Sequence, residues 1–319
     1  MDTHERPVHP AMLIDARTMP LQELFARGDL GLFVPMTLPT YTWRKKEVLQ
    51  LLDNIVMCVR AFVDDPSAIH YFGTIILQDG FDVTQCVRHV DRYALPPRIY
   101  TIIDGQQRLA TFALIACLLY RKLGALRVSL VQQENALLRH HIQQFQEQLL
   151  KFFSCEIPGA SSQSKPIIVH GRRDFWANTD VQECYRSSLS EYLFKSLAAL
   201  WNEDPAPTVS WVDELYIPVG IIESWLHHII TEDARTNYPT PGKIRAGLHW
   251  LDSRLFVHSS ITAAAGDVSQ PDEMPVATFI RLFALTQTFL QRCCVTVVMP
   301  TRPEAGLNVA AAYEYKSVQ

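Results

Sequence analysis

Arg98-Ile-Tyr-Thr-Ile-Ile-Asp104-Gly105-Gln106-Gln107-Arg108-Leu-Ala-Thr111-Phe-Ala-Leu-Ile-Ala-Cys-Leu-Leu-Tyr120 is the stretch on which the fold turns. A β-prone apolar run, residues 99–103, meets Asp104-Gly105, a pair suited to a sharp turn, and Gln106 then opens about four turns of strong helix formers. The reading is strand, tight turn, helix. Asp104 is expected as the helix N-cap, and Gly105 as a point where a ligand can approach the backbone. The first helical turn presents N–H groups beside Gln107 and Arg108, an arrangement that favours anions, phosphate above all. Beyond Arg108 the helix is apolar almost all round, which predicts burial and a rigid support for the polar turn.

Asp104-Gly105-Gln106-Gln107-Arg108-Leu109 with Thr111 resembles the signature of the DGQQR-motif N-terminal domains of GmrSD-type modification-dependent (type IV) restriction endonucleases and their phosphorothioate-sensing relatives. Two further blocks lie upstream in the expected order. Val34-Pro35 with Tyr41 and Trp43 is similar to the family's I-P-x-Y-Q-R-x-Y-x-W, and Tyr71-Phe72-Gly73-Thr74-Ile75-Ile76 to its Y-F-L-G-S-I. The resemblance implies a ParB/sulfiredoxin-like core in an α+β chain. It also implies that a nucleoside triphosphate (GTP, ATP or CTP) binds with Mg²⁺ at Asp104, Gly105, Gln106, Gln107, Arg108 and Thr111, with Tyr41 and Trp43 beside it. Asp104, Gln107 and Arg108 would carry hydrolysis, Asp104 would hold the metal, and Gln106 or Gln107 would orient a water. The nucleotide state would control a nuclease in another domain or subunit, acting on modified phage DNA in anti-phage defence. The largest departure is at Leu38 and Pro39, which stand where the family carries Gln-Arg. Either Arg44, Lys45 or Lys46 supplies the missing cation, or the chain is a degenerate copy that recognises DNA or protein without turnover.

The composition fits this placement. With 48% hydrophobic and 19% charged residues, the 319-residue chain is an ordinary globular protein long enough for a large core. A net charge of −4 argues against coating nucleic acid by bulk charge. Seven cysteines, an odd number set mostly in apolar runs, fit reduced core thiols rather than a disulfide framework. The N-terminus has no signal core, and no run is expected to reach the 18 or so apolar residues that span a bilayer. The expected location is cytoplasmic, with no membrane association. No Walker A, G-x-G-x-x-G, G-x-S-x-G, C-x-x-C or H-E-x-x-H occurs, and nuclease activity is not expected in this chain alone.

Along the chain, residues 12–15 are expected to add a short strand and residues 20–27 a short amphipathic helix stopped by Gly28. A strand over 32–34 ends at Pro35, and a helix from Trp43 to about Phe62 carries an apolar stripe. Tyr71 to Leu77 reads as a strand whose Gly73 marks a close backbone approach. Residues 78–95 form a polar excursion, possibly a hairpin arm. After Gly124 the character of the sequence shifts, and a 1–125 nucleotide-binding core is expected to be followed by a mainly helical 126–319 extension. In that extension, 131–153, 181–201, 212–235, 243–257 and 275–292 read as helices, and 166–170 and 295–299 as strands.

Gly171-Arg172-Arg173-Asp174-Phe175-Trp176 resembles a D-x-W found after a strand in many family members. Two readings stand there: Arg172 or Arg173 on a phosphate, or a surface turn with Trp176 in the core. The adjacent pairs His140-His141 and His227-His228 read as surface histidines, because neighbours on a helix point about 100° apart. The chain stops about where the family's F-E-x-x-N-x-x-G segment should begin, which implies a truncated or unusually short member. A homo-oligomer stays open.

Overall fold

A computed structural model describes residues 14–26, 28–65, 67–80, 95–131, 136–157, 164–171, 173–177, 181–231 and 274–300. The hairpin arm, the 243–257 helix and Arg172 lie outside them. Strand β1 (Ile14–Pro20) is followed by the single turn of α1 (Leu21–Leu24), β2 (Leu30–Val34), the long α2 (Lys45–Asp64), β3 (His70–Asp79), β4 (Arg98–Asp104) and α3 (Gln106–Val131). Helix α4 (Ala136–Leu150) leads into the short strands β5 (Ser154–Cys155), β6 (Lys165–Pro166) and β7 (Ile168–His170). Helices α5 (Ser188–Trp201), α6 (Tyr216–Thr231) and α7 (Met274–Gln291) precede β8 (Cys293–Pro300). The expected α+β class is what the chain adopts.

Six strands form one mixed sheet in the order β1-β8-β3-β4-β2-β7. Strand β8, from the far end of the described chain, lies between β1 (antiparallel) and β3 (parallel). Strand β4 pairs antiparallel with β3 and parallel with β2, which pairs parallel with β7. The sheet therefore draws strands from both sides of residue 125, and that position falls inside α3. Every residue of β2 is buried, as expected for a parallel strand covered on both faces.

Periodicity carries directly into packing. The α2 stripe (Val48, Leu52, Ile55, Val56, Val59, Phe62) is buried, as the sequence predicts. Helix α3 is buried almost all round from Leu109 to Leu119 and joins the single large apolar core. It runs through Gly124: Gln146 Nε2 of α4 lies 3.2 Å from where a Cβ at Gly124 would sit and donates to Tyr120 O at 3.2 Å, so the glycine lets α4 come close. An interior glycine costs only about 1 kcal/mol, which this packing offsets. One expectation about this helix needs correction: Gln106–Ser129 is long and apolar enough to cross a membrane, with a mean hydropathy of 1.6 over one 18-residue stretch. In this fold 72% of that stretch is buried inside the protein, where the apolar surface forms core.

Candidate functional site

Strand β4 delivers Asp104 to its end, and α3 begins two residues later. Ile76 of β3 faces Asp104 while Leu77 faces Ile102, so Ile103 is an extra residue that bulges β4 just before the turn. Gly105 then takes φ +90°, a conformation that L side chains rarely adopt, and a Cβ there would come within 3.3 Å of the Ile75 backbone. Gly105 is thus approached by β3 on its Cα side, while it also lines the cleft described next. Its carbonyl accepts the first helical bond, from Leu109 N at 3.0 Å, so the capping position belongs to Gly105 and not to Asp104 as expected. Asp104 closes the strand with its side chain half exposed, 3.9 Å from Arg108 Nη2 one helical turn away.

Facing this turn is the loop of residues 36–43, and between them lies a cleft of about 340 Å³. Leu38, Pro39, Thr42 and Trp43 line one wall, and residues 103–108 the other. That volume lies within the roughly 300–1,000 Å³ usual for small-molecule sites. Arg108 is the single basic residue among the described residues lining it. Arg44, Lys45 and Lys46 are exposed at the start of α2 and do not line the cleft.

The two glutamines hold the loop. Gln106 Nε2 donates to Pro39 O at 2.8 Å. Gln107 grips the loop backbone twice, donating from Nε2 to Thr40 O at 3.0 Å and accepting from Thr42 N at Oε1 at 2.9 Å. Tyr41 and Thr111 stand behind the cleft rather than on its wall. Thr111 Oγ1 donates to Gln107 O at 2.7 Å, so the Tyr41 hydroxyl, 2.8 Å away, is the donor to Thr111. Burial pushes the Tyr41 phenol well above its ordinary value, which keeps that proton in place.

Two more anchors come from distant chain segments: Thr40 Oγ1 donates to Glu214 Oε2 at 2.8 Å, and His170 Nε2 donates to Leu38 O at 3.0 Å. Sequence reasoning missed both. Neither residue sits in a motif, and only the fold brings β7 and the approach to α6 to this loop.

Of the residues expected to bind a nucleotide, the structure brings Trp43, Asp104, Gly105, Gln106, Gln107 and Arg108 to one cleft. The Gln107 amide, expected to take part in hydrolysis, is engaged with the loop backbone.

In the D-x-W segment the tryptophan packs in the core, and Arg172 lies outside the described residues. Trp176 is buried and donates from Nε1 to Pro166 O at 2.9 Å. Asp174, 2% exposed, accepts the backbone N–H groups of His170, Arg186 and Ser187 and has the hydroxyls of Ser187 and Ser190 within bonding distance. Arg173 is exposed. Among the described residues, no group of three or more His, Cys, Asp or Glu side chains is placed to hold a metal ion.

No curated protein matches this chain. Residues 21–217 match the family described as GmrSD restriction endonuclease, N-terminal domain, and that span holds the whole loop, the strand-turn-helix and the Asp174 network. A match over more than half of the 319 residues settles the family: the chain belongs to the GmrSD restriction endonuclease N-terminal domains.

Proposed function

We propose that the chain is a nucleotide-binding, NTP-hydrolysing regulatory domain of a GmrSD-like modification-dependent restriction system. It binds ATP, GTP or CTP with Mg²⁺ in the cleft between residues 38–43 and 103–108, and its nucleotide state licenses a nuclease held in another domain or subunit. Family membership supports the restriction role and, through it, DNA as the macromolecule acted upon. The observation that carries the nucleotide reading is the cleft itself: a helix N-terminus and Arg108 on one wall, Trp43 with Leu38 and Pro39 on the other. The first supplies N–H groups and charge for phosphate; the second supplies an apolar and aromatic surface for a base.

Asp104 fits a phosphate-bridged Mg²⁺, since this cation takes one or two carboxylates, waters and substrate oxygens rather than an all-protein cage. When bound, the cation would offset phosphate charge during transfer. Arg108 offers its guanidinium to the phosphate oxygens where charge develops. Gln106 and Gln107 keep the loop at the distance that sets the cleft width, a positioning role. Equilibrium titrations of ATP, GTP and CTP, with and without Mg²⁺, test the reading; at least one triphosphate is expected to bind, more tightly with the cation. Binding of none would remove it.

The second reading is a recognition module without turnover, and a specific observation favours it. The Leu38 and Pro39 positions add no cation to the cleft, leaving Arg108 alone among its described lining residues. DNA binding in the absence of nucleotide, falling steeply with salt, is the outcome that would replace the first reading with the second.

A further inference from the structure

We infer that the bulge of β3 at Phe72–Gly73 is a seat built for the Arg108 guanidinium, which makes Gly73 and the Phe72 carbonyl positioning elements of the candidate phosphate site. This rests on reading the cleft as a triphosphate site.

Three independent features of the backbone meet at one side chain. The β3–β8 register pairs Tyr71 with Cys294 and Thr74 with Thr296, so Phe72 and Gly73 together stand opposite Val295 alone. One residue too many in a strand bends it and takes a backbone group out of the ladder. The Phe72 carbonyl accepts from Arg108 Nη1 at 2.9 Å. Gly73 takes φ +96°, in the left-handed region that glycine adopts without strain. Finally, a Cβ at Gly73 would lie 2.1 Å from Arg108 Nη1 and 3.2 Å from its Cζ, so the guanidinium occupies the space that any side chain at 73 would fill.

The consequence is directional. With Nη1 tied to the Phe72 carbonyl, the planar guanidinium has one edge fixed, and Nη2 is left on the side of Asp104. An arginine so held gives up less rotamer freedom when it meets an anion than one that swings from solvent. Bulges beside a site re-aim side chains, and here the device sits on the neighbouring strand. Gly73 therefore acts through Arg108 and touches no ligand itself.

The experiment is a double-mutant cycle on the full chain with Gly73→Ala, Arg108→Ala and the double variant, reading thermal unfolding and binding of Mg²⁺–triphosphate. Gly73→Ala is expected to weaken triphosphate binding about tenfold or more, and to add nothing once Arg108 is already alanine. In unfolding, Gly73→Ala is expected to cost more with Arg108 present than absent, because the clash leaves with the side chain. Additive stability effects would overturn the seat. If stability is coupled but Arg108→Ala leaves triphosphate binding unchanged, the phosphate reading of the cleft fails while the seat stands. The strained variant is not needed for a second test: the Arg108 side-chain ¹⁵Nη resonances of the wild-type chain should show hindered guanidinium rotation. Free averaging, as in a solvated arginine, would also overturn the proposal.

Discussion

Two aspartates end neighbouring parts of the same sheet and behave in opposite ways. Asp174, just after β7, is buried and receives one backbone N–H group from β7, and two more with two serine hydroxyls from the start of α5 and its approach. Asp104, at the end of β4, has its side chain 51% exposed, on the rim of a cleft, with Arg108 as a loose ion pair at 3.9 Å. Both lie in motifs that look functional in sequence. A carboxylate whose lone pairs are filled by its own protein holds the fold; one left half in solvent beside a cleft is available to something else.

The comparison breaks first at Asp174. Asp174→Ala would strand buried donors, and a loss of roughly 4 kcal/mol in denaturant unfolding is expected. A loss under about 1 kcal/mol would mean that the network matters little. Asp104→Ala is expected to behave conversely: a stability change within about 1 kcal/mol, the range of an exposed pair, together with weaker Mg²⁺–triphosphate binding. A large destabilisation there would move Asp104 into the structural class.

A smaller effect sharpens the role of the loop. Gln107→Ala removes two bonds to the 40–42 backbone, and a cost of about 1–2 kcal/mol is expected. Faster amide exchange confined to residues 36–43 should accompany it, and unchanged exchange would deny the glutamine its clamp.

The smallest effect is in pH. Burial lowers the affinity of His70 and His141 for a proton, with the neighbouring His140 adding to it at His141. Their folded values lie below the unfolded one, so the unfolded chain takes protons first. Their contribution is intact above about pH 6.5 and is lost as pH falls further. His70→Phe should flatten part of the decline in melting temperature between about pH 7.5 and about pH 5.5; an identical slope would assign the decline elsewhere.

What was legible in the chain follows from range. The strand-turn-helix that begins at Arg98 and the stripe of α2 are set by local propensity and periodicity, and the sequence alone predicts them. The insertion of β8 between β1 and β3 joins residues more than 200 positions apart, and no local signal encodes that partner. Asp104 misleads because the bulge at Ile103 and the φ of Gly105 shift the cap by one residue. The candidate site was located by its motif, but the work of its glutamines was not. Their partners are backbone groups of a loop 65 to 67 residues away, and backbone groups leave no mark in sequence.

Binding of Mg²⁺–triphosphate by the wild-type chain and by Arg108→Ala tests the central claim most directly. Saturable binding that Arg108→Ala weakens about tenfold or more, with the fold intact by circular dichroism, is the expected result. Equal affinity of the two chains for every triphosphate would contradict the assignment of the cleft.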